Sequence, residues 1–305
     1  MNNARKSRRE YRVGHLLAIG SLAVVSILAT APAAVGSVTI GQVAPNPGSL
    51  STCAPDADRV QPTINSGPAY VVPSTGNVTA WTLSSWSTLG GTGSGDKIAM
   101  KVFRPAGGND YSVVGHDGPR TLSANSLNTF STSFPVKPGD FVGLYTLTNA
   151  TPCIYDATGE NYLYRSGNLA DGASGTFSSS GAAPDFRLNI SALLDPINSF
   201  TLGAITRNKK KGTATETATV PNPGAVTVSG DGVKQASSSG ARSAVSVPSA
   251  GTVSVPIRAK GKKKKKLNQK GKVKLSVAIT YTPTGGAPST QSVKVKLLKK
   301  KKKKV

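Results

Sequence analysis

Three runs of lysine carry the densest chemistry in this chain. Lys209, Lys210 and Lys211 stand in "NKKK", and Lys262, Lys263, Lys264, Lys265, Lys266 and Lys270 in "AKGKKKKKLNQK". Lys299, Lys300 and Lys301 open the terminal "KKKKKK". An ammonium group is a hydrated point charge, so such runs offer delocalised, salt-sensitive attraction to polyanions and not a geometric readout. Sequence-reading nucleic-acid proteins add arginine forks and stacking aromatics. Residues 199–305 hold only Arg207, Arg242 and Arg258, with Phe200 and Tyr281. Anionic envelope polymers or lipid head groups are therefore the expected partners, and nucleic acid is a nonspecific one.

Residue types suited to catalysis are sparse. The chain has two histidines, His15 and His116, and His116 sits in "VGHDGPR" beside Asp117. A nucleophilic relay needs a histidine held by a carboxylate and touching a nucleophile, whereas a Gly/Pro-flanked His-Asp pair suits a hydrogen-bonded turn. The glycine-rich "LGGTGSGD" (Leu89 to Asp96) lacks the lysine of a phosphate loop, and no G-x-S-x-G elbow occurs. Asp156 and Glu160 have the chemistry of a glycosidase pair or a calcium site, but their spacing fits solvated loop carboxylates. Trp81, Trp86, Tyr162 and Tyr164 can stack on sugar rings, although a strand aromatic more commonly fills a core. The expectation is a non-enzymatic protein with no cofactor and no metal site.

Several features place the chain outside the cytoplasm. Arg5, Lys6, Arg8, Arg9 and Arg12 precede an uncharged apolar run from Leu16 to Ala29, and Ala31-Pro32-Ala33 fits a small-residue cleavage pattern. Residues 1–36 therefore read as a signal peptide cut after Ala33 or a few residues later, with an uncleaved anchoring helix as the alternative. "SRREYR" loosely matches a twin-arginine export motif, and an ordinary basic segment explains it as well. In an oxidising compartment the isolated pair Cys53 and Cys153 most simply forms a disulfide, and two distant cysteines without histidines cannot complete a zinc shell.

The elements that must position these residues are strands. Ser, Thr, Gly, Ala and Val dominate, aromatics are 6%, and no stretch beyond residue 36 carries a helical period of useful length. In "DKIAMKVFR", Ile98, Met100 and Val102 face one side and Lys97, Ala99 and Lys101 the other. "DFRLNIS" alternates in the same way, and "DFVGLYTLT" reads as a central strand. About ten such strands separated by Pro/Gly turns predict a jelly-roll-like β-sandwich over residues 37–196. Seven more, at 199–207, 212–220, 225–229, 241–247, 251–258, 271–282 and 289–298, predict an immunoglobulin-like sandwich over 198–298, without the Cys–Trp–Cys signature. The fold class is thus all-β, and residues 299–305 read as a disordered basic tail because adjacent like charges repel.

Charge divides along the same boundary. Residues 37–198 carry eight basic and eleven acidic side chains, and residues 199–305 carry twenty-four basic against two acidic, Glu216 and Asp231. Consecutive strands of a sandwich run in opposite directions, so alternate connections emerge at opposite ends. All three lysine runs then fall at one pole, and the neutral turns "PNPG", "PSAG" and "PTGGAP" fall at the other. The expected molecule is a two-domain rod with a cationic tip.

The stretches "VTIGQVAPNP", "VVGHDGPRTL", "VKPGDFVGL", "DFRLNI", "NKKKGTA" and "YTPTGGAPST" span most of residues 37–305. In them the chain resembles a group of uncharacterised secreted proteins of high-GC Gram-positive bacteria. The resemblance implies two extracellular β-sandwich domains and transfers no activity, ligand or site residue. The function expected from the residues is a secreted or surface-associated binding protein docked by its lysines on anionic envelope material. The alternative is a carbohydrate-binding module or hydrolase accessory acting on a saccharide through the first domain.

Overall fold

The computed structural model describes residues 36–74, 77–93, 95–147, 151–179, 185–235 and 244–300. The export-signal reading of residues 1–36 lies almost wholly outside them, as do Lys301 and the residues after it. Among the described residues no helix is long and apolar enough to cross a membrane. The chain is all-β, with sandwich-like packing of antiparallel sheets.

Residues 38–196 form three sheets. The largest runs in the order Ser174–Thr176, Asp110–Thr121, Lys97–Gly107, Phe141–Thr146, Ala57–Val60, Leu163–Ser166, Ser178–Ser179. A four-stranded sheet orders Val38–Gln42, Ile190–Pro196, Trp81–Leu89 and Leu127–Val136. A three-stranded sheet places Thr151–Asp156 between Phe186–Leu188 and Leu50–Cys53. Period-2 alternation builds the main core, because one face of each strand must leave water. Ile98, Met100, Val102, Val142 and Leu144 meet Trp81, Leu83, Trp86, Ile190 and Leu194 there. Cys53 and Cys153 are bonded within this core, their Cα atoms 5.8 Å apart.

The opposite face of the large sheet departs from the sequence reading. Lys101 is not a solvated residue: it is 2% exposed, with Nζ 2.6 Å from Asp58 Oδ1. The segment after Ser166 folds back over this face, and Leu169 and Phe177 join Val60, Phe103, Tyr111 and Val113 in a second core. An even alternation cannot reveal that a remote segment covers the outward face.

"DFRLNIS" also departs from a single strand. Phe186–Leu188 pairs in the three-stranded sheet and Ile190–Pro196 in the four-stranded one. Asn189, fully buried, makes the switch: its Oδ1 accepts from Ala44 N at 3.0 Å and its Nδ2 donates to Leu89 O at 2.8 Å. These bonds satisfy backbone groups that the broken ladder leaves unpaired.

Among the described residues, 201–298 have their own core and eight strands, one more than expected. One sheet orders Thr201–Asn208, Thr213–Val220, Gly251–Ala259, Val233–Gln235; the other orders Ala244–Val247, Gly224–Ser229, Lys272–Pro283, Ser289–Leu298. Val273, Leu275, Val277, Ile279 and Tyr281 alternate inward, as the sequence pattern requires. The extra strand, Val233–Gln235, is a three-residue piece beside Gly251–Ala259.

The larger difference is helix α1, Gly261–Lys270, where the sequence reads as a loop. Ten residues with five consecutive lysines lack the apolar stripe that normally signals a helix. Only Leu267 is buried, and it docks on the second core. Gly271, at φ 68°, closes α1 in the left-handed conformation, its N–H bonded to Leu267 O. A single apolar anchor plus a glycine C-cap therefore suffices, the flanking strand ends supplying the rest.

The two cores meet through the turn after Val220. Asn222, fully buried, accepts from Thr79 N and Ala80 N at 3.0 Å each and donates to Ala80 O at 2.8 Å and Ile197 O at 3.2 Å. Asn198 Nδ2 reaches Ala287 O nearby.

Candidate polyanion-docking site

The lysine runs, remote in sequence, are tied together by backbone hydrogen bonds. Lys209, Lys210 and Lys211 form the exposed turn between Thr201–Asn208 and Thr213–Val220, fastened by Asn208 Oδ1 accepting from Lys211 N at 2.9 Å. Lys300 N donates to Lys209 O at 2.9 Å, and Lys299 N donates to Gly271 O at 2.8 Å. Lys299 Nζ reaches Asn268 Oδ1 on α1 at 2.7 Å. Gly212, at φ +70°, lets this contact close: a Cβ there would lie 3.2 Å from both Leu267 Cδ2 and Lys299 Cδ. The tail expectation thus fails for Lys299 and Lys300, which take ladder-like partners.

On α1, Lys262, Lys264, Lys265, Lys266 and Lys270 are exposed. Lys263 lies half-buried, its Nζ 3.4 Å from Asp231 Oδ2. Asp231 is the one carboxylate paired with a lysine of these runs among the described residues. Glu216, the other acid of this domain, faces the core.

Between these segments lies an open cleft of about 490 Å³. Lys211, Lys234, Arg258, Lys264 and Lys299 line it, with Thr213 beside them. Lys234 and Arg258, absent from the sequence-based candidates, are register partners on adjacent strands. Arg258 alternates outward after buried Ile257 at the end of its strand, a signal that was readable. Lys234 was not, since its short strand leaves no periodic trace. The positive surface also continues along one flank, where exposed Lys274 and Lys296 stand directly opposite each other.

The electrostatics follow from this placement. Like charges packed at the positively polarised start of a helix repel one another and its dipole. In water at physiological salt the potential decays over roughly 8 Å, so amines sharing one pole sum their fields where amines spread over a molecule do not. The lysine end and the Asn222 end are separated by the twelve-residue strand Lys272–Pro283, roughly 36 Å at 3.3 Å per residue.

The remaining candidates go elsewhere. Trp81 and Trp86 are fully buried and Tyr162 nearly so, which removes them as sugar platforms; Tyr164 packs against the main core. Glu160 is 2% exposed and forms a two-pronged ion pair with Arg187, one prong being Nε to Oε2 at 2.6 Å. Burial alone would raise the Glu160 pKa, but Arg187 and the Asn65 N–H outweigh it and hold the carboxyl below its usual value. Asp156 is exposed where Glu160 is buried, and it faces Phe186 in the ladder. His116 lies in strand Asp110–Thr121 and not in a turn, and its partner is Asp171, not Asp117. Asp117 accepts from Trp86 Nε1 at 2.6 Å and pairs with Arg120. Among the described residues no group of three or more His, Cys, Asp or Glu is placed to hold a metal ion. Comparison with known proteins returned no matching family model, no similar curated protein and no similar solved structure.

Proposed function

We infer that this is an exported, non-enzymatic binding protein whose lysine-rich second domain associates electrostatically with anionic cell-envelope polymers. The observation that carries this reading is the joining of Lys209, α1 and Lys299–Lys300 by main-chain bonds into one cationic surface with a concave centre and a single paired carboxylate. Hydrated lysine ammoniums select charge density over sequence, and binding is driven by release of counterions from the polymer. Charges used only for solubility are normally interspersed with acids.

In finer detail, the first domain is read as jelly-roll-like and the second as immunoglobulin-like. The second assignment draws support from strand order: the first, second and sixth strands are neighbours in one sheet, and the third, seventh and eighth in the other. Contacts to the first domain at Asn222 and Asn198 leave the lysine end free to meet a surface while the first domain is displayed away from it.

The test is retention on isolated envelopes, or on immobilised lipoteichoic acid, across a salt series. Loss of affinity by roughly three orders of magnitude between about 50 and 200 mM salt is expected if six or more anionic groups are engaged. Replacing Lys209, Lys210, Lys211, Lys264, Lys265 and Lys266 by Gln should flatten that slope. Retention unchanged at high salt sinks the reading.

A further inference from the structure

Away from the lysines, an open pocket of about 450 Å³ lies against the outward face of the large sheet of the first domain. Its volume is within the roughly 300–1,000 Å³ usual for small-molecule sites. Ala99, Leu147, Leu169 and Pro119 contribute apolar wall. Tyr145 adds a ring that is fixed in place: its hydroxyl donates to Asp56 Oδ1 at 2.8 Å, and the Lys101 ammonium lies 5.1 Å from the ring centroid. Burial, with help from Asp56, pushes the phenol up to about 12, so the donor stays protonated.

The pocket's polar groups are arranged in a specific way. Lys101 lines it but spends its donors on Asp58, Asn168 Oδ1 and Leu169 O, at 2.6, 2.6 and 2.7 Å. No unpaired cation therefore faces the space, and an anion finds no counter-charge. Asn168, its Oδ1 occupied by Lys101, keeps both Nδ2 hydrogens. A carboxylate only accepts, so the 2.8 Å contact between His116 and Asp171 requires that His116 Nδ1–H donate. With Nδ1 carrying that hydrogen, the Nδ1–H tautomer presents Nε2 as an acceptor, and Asp171 keeps its second oxygen. Both side chains are nearly half exposed at the rim.

We propose that this pocket is a binding site for a short neutral saccharide. An apolar wall with one fixed aromatic suits the C–H face of a sugar ring. A donor amide beside two acceptors suits hydroxyls, each of which gives one hydrogen bond and takes another. A purely apolar ligand would strip water from these groups without replacing it. This site is independent of the lysine pole, and the proposal stands or falls separately from the docking reading.

His116 and His15 are the two histidines of the chain, so the His116 ring is a selective NMR reporter once assigned with His116→Gln. Titrating the full chain with glucose, galactose, mannose, N-acetylglucosamine and their disaccharides should give a saturable shift of the His116 ring signals for at least one of them, at millimolar concentration. Asp171→Ala should weaken that affinity about tenfold, one lost hydrogen bond to a charged group. Ala170→Trp, at an exposed position on the pocket wall, should abolish it without touching either core. An unchanged urea-unfolding transition verifies that both variants are folded. The proposal is overturned by the absence of any His116 shift across the panel, by wild-type binding in either variant, or by binding that disappears with Lys264, Lys265 and Lys266 replaced by Gln.

Discussion

Glu216 sits inward between Ala214 and Ala218 on a strand of the lysine-rich domain, 1% exposed, and its Oε2 has no hydrogen-bond partner. Desolvation raises its pKa above the ordinary carboxylate value. A carboxyl whose folded pKa lies above its unfolded one favours the folded state at low pH. That advantage falls away as pH rises through the folded pKa, leaving a buried charge poorly accommodated. Glu216→Leu is therefore expected to raise stability at pH 7 by about 1–3 kcal/mol, the cost of an unsatisfied buried polar group. The gain should shrink as the pH is lowered below the usual glutamate range, and denaturant titrations at pH 3.5 and 7 measure both. Removing Lys101 acts in the opposite sense, because its buried partner Asp58 then keeps the Leu169 N–H but loses its counter-charge. Lys101→Met should cost about 3–5 kcal/mol, and Lys101→Met with Asp58→Leu should recover most of that. Urea unfolding of the single and double variants checks the pair.

At the scale of elements, α1 is the informative case. It is held by Leu267 and the Gly271 cap against the mutual repulsion of its own lysines. Leu267→Ala is expected to cost about 2–5 kcal/mol locally and to speed amide exchange across 264–271. Lys264, Lys265 and Lys266 replaced by Ala should act the other way on the helix, since alanine has the better propensity and removes like charges. The same change should weaken binding to lipoteichoic acid. Slower exchange together with weaker binding separates a functional role for these lysines from a structural one; hydrogen exchange with and without the polymer reads both.

Across the whole molecule, Asn222 is the point where the two cores communicate. Four side-chain hydrogen bonds to main-chain groups of Thr79, Ala80 and Ile197 pass through one amide. Asn222→Ala takes this partner from Thr79 N, Ala80 N and Ile197 O, while Ala80 O keeps the Ile197 N–H, and should lower the stability of the junction by about 1–3 kcal/mol. Calorimetry should then resolve two transitions where the native chain unfolds with closer coupling, and lysine-mediated binding should be unaffected because it resides at the far ends of the strands.

Period-2 patterning indicated strands at 96–104, 271–282 and 289–298, which form as Lys97–Gly107, Lys272–Pro283 and Ser289–Leu298, and it placed the residues of one face in the core, because burial of one sheet face imposes alternation directly on the sequence. Pairing of Cys53 with Cys153 was legible for a similar reason, there being no other cysteine to choose. The expectation that the lysine runs share a pole came from counting the reversals of seven strands; the described residues form eight, and the runs are joined instead by main-chain bonds from Lys300 to Lys209 and from Lys299 to Gly271. Helix α1 was not legible: its stability comes from Leu267 meeting a core assembled elsewhere, and no local pattern records that. Nor could alternation show that residues 167–178 return to bury Lys101 and Phe103, or that Asp171 comes to His116 from fifty-five residues away. Composition and spacing determine which surfaces can lose water and how much charge a segment carries. Which remote groups then share a cleft is decided only when the chain closes, because that depends on contacts between segments with no relation in sequence.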